Sequence, residues 1–475
     1  APAGSAAPAS ASAAAKPSGS TAASGSASPS GAAASGAASA SAKPAASASG
    51  GAPAPASAGS ASAAASGSGA PAASGAPIKI GLLQPLTGIY ANQGKDHTDG
   101  FQLYLDSINS TVAGRKIQLV VADDQGAPDV GLTKAKQLVD NDKVDILAGG
   151  TVTPECYALA PYARDAKVPF VNTGNCIGYD LTISPKYASP YLVRVSAPLL
   201  AGTDPFADWA YKHGNRKADI MVSDYAAGHQ IADAWASIFV KDGGSIVQEN
   251  YPAQGTTDFG PFLAKLDKSA DTLFAFLPGV DGLRMQQAFG DYVDPQKMAE
   301  LDYGGGITSG PNTAQLKDKA VGIWGGATPY VDSIDTPANQ ALVKAFNAKF
   351  AGRLIDSDVD RGYDGAAFIV AAIKAANGNV EDKSATGPLI TAIHNTQIDA
   401  ARGPMKLDKD GDVVQNAYIQ QVVKNGSDYA FKIVATYQNV GKDWDRSATE
   451  LQNFPFGQLG GKWVGMTAAT LPKAG

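Results

Sequence analysis

Two short loops carry the residue types best suited to chemistry. Gly149-Gly150-Thr151-Val152-Thr153-Pro154-Glu155-Cys156 combines backbone-permissive glycines, two hydroxyls and a proline fit for a first helical turn. Thr173-Gly174-Asn175-Cys176 repeats the pattern some twenty residues later. Hydroxyls and backbone N–H groups at a helix start suit an anion, so the pair reads as a cradle for an anion or carboxylate, with simple helix capping by Thr153 as the alternative. The first loop lacks the Gly-Lys-Thr/Ser ending of a nucleotide P-loop.

Other constellations carry less. Gly304-Gly305-Gly306 has no G-x-G-x-x-G spacing and reads as a tight turn. Asp356-Ser357-Asp358-Val359-Asp360 and Asp408-Lys409-Asp410-Gly411-Asp412 resemble calcium loops but lack a glutamate at the twelfth position, so solvated loops or hairpin turns are expected. His97, His213, His229 and His394 are dispersed, and none belongs to an H-E-x-x-H or G-x-S-x-G arrangement. No cofactor, metal or catalytic residue is assigned, although a hydrolase whose groups converge only in three dimensions stays open. Cys156 and Cys176 are either a disulfide or two buried thiols, and a metal site without nearby histidines is disfavoured.

These loops must be held by strands. Apolar runs at 78–83, 117–122, 144–147 and 168–171 alternate with helical patterns around 101–108, 130–139 and 157–166. Continuous rather than alternating apolar strands predict a parallel sheet covered on both faces. A second series begins at 218–223 and runs through a helix at 231–240, a strand at 245–248, a helix at 259–266 and a strand at 272–277. Helices near 338–350, 365–376 and 387–393 follow, then strands near Met405, at 417–423 and at 431–437. The last two fit a hairpin across Asn425-Gly426. The expected fold class is α/β, with two Rossmann-like lobes. Ligands of such sheets gather at the carboxyl ends of the strands, which directs attention to loops 85–94, 149–156, 172–179, 224–229 and 278–284.

Residues 1–77 contain only Ala, Ser, Gly and Pro besides one Thr and two Lys, so nothing in them offsets the entropy of ordering. They read as a disordered tether. Lys16 and Lys43 are its only charged side chains, so the rest of the chain is more acidic than the net charge of −6. An acidic body argues against a nucleic-acid partner. No apolar run is long enough to span a bilayer, and no charged n-region precedes an apolar h-region. If the protein is exported, the sequence is the form left after a signal peptide is removed.

Four stretches together resemble a known family. They are Pro85-Leu86-Thr87-Gly88 with Tyr90-Ala91 and Gly94; Val121-Ala122-Asp123-Asp124-Gln125; Asp224-Tyr225-Ala226-Ala227-Gly228-His229; and 388–412, with Gly403-Pro404 and the Asp410-Gly411-Asp412 turn. Their order and spacing resemble the extracytoplasmic solute-binding proteins of branched-chain amino-acid ABC importers, of the type I periplasmic binding fold. That resemblance implies lobes of 78–198 plus 329–412 and 199–328 plus 413–440, joined by a three-strand hinge, with 441–475 as a C-terminal extension. It also implies a small-molecule carboxylate held between the lobes, either a branched-chain amino acid or an aromatic or aliphatic acid.

A membrane permease is the implied partner and a periplasmic or surface-tethered monomer the implied form. A ligand sensor coupled to a signalling protein is the alternative on the same fold. By position, Thr151, Thr153, Thr173, Gly174, Asn175 and Cys176 would meet the carboxylate, and Tyr90 and Gln93 would approach from the opening loop. On the second lobe Tyr225 would cover the ligand, with Asp281 and Gly305 beside it, while Ala227 would widen the pocket. The acid and the aromatic that leucine-binding relatives place near Gly304–Gly306 and Val280 are absent here. The ligand's ammonium then falls to Asp281 or another acid, or the ligand has no amine.

Overall fold

The computed structural model describes residues 75–304, 306–326, 330 and 332–472. The tether of 1–77 falls almost wholly outside the described residues, as do Gly305 and the 328/329 lobe boundary.

Two sheets, one of six strands and one of nine, form the frame. In the first, the apolar strand Ile78–Gln84 lies between Arg115–Asp123 and Ile146–Gly149, parallel to both, with Ile80 opposite Leu119 and Ile146. Phe170–Asn172 and Leu192–Arg194 extend it in parallel, and Thr111–Val112 closes the other edge antiparallel. The second sheet repeats the plan. Lys217–Val222 lies between Ser245–Asn250 and Thr272–Phe276, followed by Ala299–Tyr303 and Trp324–Gly326, all parallel. Val413–Asn425 then pairs antiparallel with Trp324–Gly326 and forms a hairpin with Asp428–Val440, its turn taking Gly426 at φ +63°. In each sheet the first strand has its successors on opposite sides, so the crossovers diverge and leave a crevice at the strand ends.

The sequence pattern passes over Leu192–Arg194, Trp324–Gly326 and Gln397–Ala400, strands too short to show a period. The helix expected at 259–266 shrinks to Gly260–Leu263, because Asp267 takes the backbone N–H of Ser269 at 2.7 Å and turns the chain away. The helix expected from 365 begins at Ser357, since Asp356 caps it by accepting from the N–H groups of Asp358 and Val359 at 3.0 and 3.2 Å. Asp356-Ser357-Asp358-Val359-Asp360 is therefore a helix start and not a solvated loop; its three aspartates are buried. The Asp408–Asp412 turn joins two strands, but Asp412 is fully buried rather than solvated. Its Oδ1 accepts from Arg194 Nε at 2.8 Å, and the Lys442 ammonium lies against Asp408, Asp410 and Asp412.

Helix Ser357–Ala375 packs its Phe368, Ile369 and Ile373 on Ile78, Ile80 and Leu82 of the first sheet. It also meets helix Ala91–Ser107 almost backbone to backbone. A Cβ at Gly100 would lie 1.9 Å from the Val359 carbonyl oxygen, and one at Gly362 would lie 2.0 Å from that of His97. This crossing fixes the neighbouring Arg361. Gly362→Ala is expected to force the helices apart and cost about 1–3 kcal/mol, as overpacking does. Urea unfolding measures it, and an unchanged midpoint would show that the crossing yields without strain.

Residues 441–472 pack on the second sheet. Leu451, Phe454, Phe456 and Trp463 join the core built around Trp235 and Phe239. Trp463 Nε1 donates to Asp233 Oδ1 at 2.7 Å, and Asp233 Oδ2 accepts from the N–H groups of Gly457, Gln458 and Leu459. Arg446 makes two hydrogen bonds to the buried Asp204, at 2.7 and 2.8 Å. Among the described residues, no helix is long and apolar enough to cross a membrane.

Candidate functional site

The crevices of the two sheets share one cavity. From the first sheet, Tyr90 and Gln93 come from the segment after Ile78–Gln84, Thr151 and Val152 from the loop after Ile146–Gly149, and Asn175 and Ile177 from the loop after Phe170–Asn172. From the second sheet, Tyr225 follows Lys217–Val222, Phe276 and Pro278 end Thr272–Phe276, and Tyr303 and Gly304 end Ala299–Tyr303. Arg361 completes the wall from helix Ser357–Ala375.

The lining is aromatic. Tyr225 stacks on Phe276 with centroids 6.1 Å apart and planes 18° apart, and Tyr303 meets the same phenylalanine edge-on at 5.8 Å. The Tyr303 hydroxyl donates to the Leu199 carbonyl at 3.0 Å. Tyr90 bonds the Gln254 side chain across from the other sheet. Burial holds the phenols of Tyr90, Tyr225 and Tyr303 well above their ordinary range, so all three stay protonated donors at neutral pH.

Arg361 is the charged side chain of this lining. Its Nη1 donates to Asp358 Oδ1 at 2.6 Å, and Asn175 Nδ2 reaches the same oxygen at 3.2 Å. Burial pushes the Asp358 carboxyl up while Arg361 pulls it down. Burial, and then the Arg361 charge, lower His97 to about 3, so this histidine is neutral. No carboxylate of the described residues lines the cavity, so an ammonium there would meet no acid.

Of the residues expected from sequence, Tyr90, Gln93, Thr151, Asn175 and Tyr225 line the cavity, and Thr153, Thr173, Gly174, Cys176 and Asp281 do not. Thr153 is buried behind it, its hydroxyl accepting from the Ile177 N–H at 3.2 Å. Thr173 shares a hydrogen bond with His97 at 3.0 Å and accepts from the Gly149 N–H at 3.1 Å. The Gly174 N–H, expected to be free for a ligand, donates to the Gly149 carbonyl at 3.3 Å. Cys176 is fully buried in a disulfide with Cys156. That bond sits between the liners Asn175 and Ile177 and ties their loop to helix Thr153–Ala166.

Asp281 is taken by the Gly255 N–H at 2.7 Å and Arg284 at 3.0 Å, so it is not a spare partner for an ammonium. Ala227 faces the second-sheet core and not the cavity. Gly305 lies outside the described residues. Sequence reasoning missed Phe276, Tyr303 and Arg361. The aromatic near the end of the strand expected at 272–277 was a usable signal for Phe276; the strand Ala299–Tyr303 that carries Tyr303 was not expected from sequence, and Arg361 sits within a helix and gave none. The Thr151 hydroxyl donates to Gln84 Oε1 at 2.8 Å and not to a base, so it is not set up as a nucleophile.

Behind the cavity wall, Glu155 and Asp124 are buried together. Burial first, and each other's charge second, raise Glu155 well above the ordinary carboxyl range; burial raises Asp124 as well. The folded protein thus keeps a proton that the unfolded chain releases near pH 4–5. Stability from this pair is fully present below that range and is lost as pH rises toward the folded value. Glu155→Gln is expected to be the more stable form at pH 8, by about 1–3 kcal/mol, and to flatten the decline of Tm above pH 5. Parallel Tm–pH profiles for variant and wild type would exclude this role.

Two α/β sheets whose crevices close on one cavity define the architecture of a two-lobed binding protein. The chain belongs to the periplasmic binding protein family, whose sequence model matches residues 77–427, and it has the type I periplasmic binding fold. It is similar to Leu/Ile/Val-binding protein homolog 6 of Brucella melitensis, 28% identical over 370 residues that cover 77% of this chain and 92% of the relative. Among solved structures it resembles a solute-binding protein of an ABC transporter from Rhodopseudomonas palustris BisB5, in complex with 3,4-dihydroxybenzoic acid. That structure is 31% identical, with TM-score 0.71, over 77% of this chain and 99% of the other. An R. palustris solute-binding protein in complex with 4-hydroxybenzoate is 27% identical with TM-score 0.70, over 77% and 98%.

Proposed function

We propose that this protein is the extracytoplasmic substrate-binding component of an ABC importer, and that it captures a small aromatic carboxylate between its lobes for delivery to a membrane permease. The observation that carries this reading is the pairing of aromatic walls with Arg361 in a cavity where the described residues offer an ammonium no carboxylate. An aryl ring stacks on Tyr225, Phe276 and Tyr303, and its carboxylate takes charge-assisted hydrogen bonds from Arg361. Relatives that bind benzoate-type acids support the class.

The lobes are 78–198 plus 329–412 and 199–328 plus 413–440. Hinge closure about the chain crossings, one braced by Arg194 and Asp412, brings Tyr225 toward Arg361. Ligand binding shifts the population toward the closed form, which the permease reads.

Calorimetric titration of ligand-free protein with benzoate, hydroxybenzoates and leucine tests the proposal. Aromatic carboxylates are expected to bind at least tenfold more tightly than leucine, and to raise Tm in proportion. Leucine binding more tightly than every aromatic acid would overturn it.

A further inference from the structure

Gln93 is a polar residue of the cavity lining. Its Oε1 is buried and has no hydrogen-bond partner among the described residues. Several other polar side chains of the lining are engaged. Thr151 donates to Gln84, Asn175 and Arg361 to Asp358, Tyr303 to a backbone carbonyl, and Tyr90 is bonded to Gln254. A buried amide oxygen left unpaired costs free energy, and a partner that only accepts hydrogen bonds cannot relieve it. An ionised carboxylate is such a partner. Benzoate, or an aliphatic acid without another polar group, would enter this cavity and leave Gln93 Oε1 unsatisfied.

We propose that Gln93 determines specificity by accepting a hydrogen bond from a ring hydroxyl, so that the preferred ligand is a hydroxylated aromatic carboxylate and not the unsubstituted acid. This rests on the aromatic-carboxylate reading above and narrows it. Gln93 stands in the first turn of helix Ala91–Ser107, the helix locked against Ser357–Ala375 at Gly100 and Gly362, so its backbone is fixed relative to Arg361. A ligand held at one point by Arg361 and at another by Gln93 has its ring orientation set within the aromatic walls.

The test measures Kd for benzoate and for 2-, 3-, 4-hydroxy- and 3,4-dihydroxybenzoate on wild type and on Gln93→Met, which keeps the side chain's length without its acceptor. Wild type is expected to bind its best hydroxylated acid about 10- to 100-fold more tightly than benzoate. Gln93→Met is expected to erase that preference while holding benzoate at least as well as wild type does. A wild type that binds benzoate as tightly as every hydroxylated acid would overturn the proposal, and this measurement needs no variant. Equal losses for benzoate and hydroxybenzoate in Gln93→Met would also overturn it, because they would place the amide on the carboxylate. Failure of every aromatic acid to bind wild type would instead sink the broader reading of the cavity.

Discussion

Arg361→Met is expected to weaken aromatic-carboxylate binding by about 2–4 kcal/mol, or roughly 30- to 1,000-fold. The guanidinium supplies the positive charge of the cavity lining, and it acts where solvent is largely excluded. Its removal also leaves Asp358 buried without its cation, so part of any effect would come from the newly unpaired acid. Arg361→Met combined with Asp358→Asn separates the two. The double variant is expected to regain the stability lost by the single one, since Asn175 and the helix remain in place, and to stay deficient in binding. Titration of both variants, each with its Tm, decides the matter. If the double variant binds like wild type, Arg361 serves only to neutralise Asp358 and the ligand's carboxylate is held elsewhere.

Arg446→Met should have the largest effect on stability, about 3–5 kcal/mol. Asp204 is fully buried in helix Leu199–His213, and burial, with a smaller push from the Asp445 charge, raises its carboxyl, while Arg446 is the cation that opposes this. The same guanidinium donates to the Ala234 carbonyl and the Ser237 hydroxyl, so one side chain pins the C-terminal segment to two helices. Replacing both partners, as Arg446→Met with Asp204→Leu, is expected to recover most of the loss, because no lone charge is then buried. Urea unfolding followed by tryptophan fluorescence measures both. A single variant that unfolds with wild type would mean that Trp463 and its neighbours hold the segment without the ion pair.

The fold was largely readable because its strands are continuous apolar runs and its loops are rich in glycine and hydroxyls. Those same signals located the strand ends and their loops, and the resemblance to the solute-binding family pointed within them to Tyr90, Gln93, Thr151, Asn175 and Tyr225, which line the cavity. They could not tell which face of a loop turns inward. Thr153, Thr173 and Gly174 have the chemistry of ligand contacts, yet their hydrogen bonds join one loop to the next. Arg361 was hidden for a different reason. Its position depends on a crossing between helices far apart in sequence, and the aspartates before it looked like a solvated run until Asp356 proved to be a helix cap.

That crossing also bears on the order in which the protein is made. Gly100 and Gly362 belong to segments separated by most of the folded chain, and the guanidinium reaches the cavity only once the second helix has docked on the first. A nascent chain that has released only its first sheet and the parallel strands of its second has every aromatic wall but no cation. Such long-range closure is slow compared with local helix and turn formation. If Arg361 holds the ligand as proposed, affinity is acquired late, and a small acid in solution stabilises the completed chain but not its unfinished precursors.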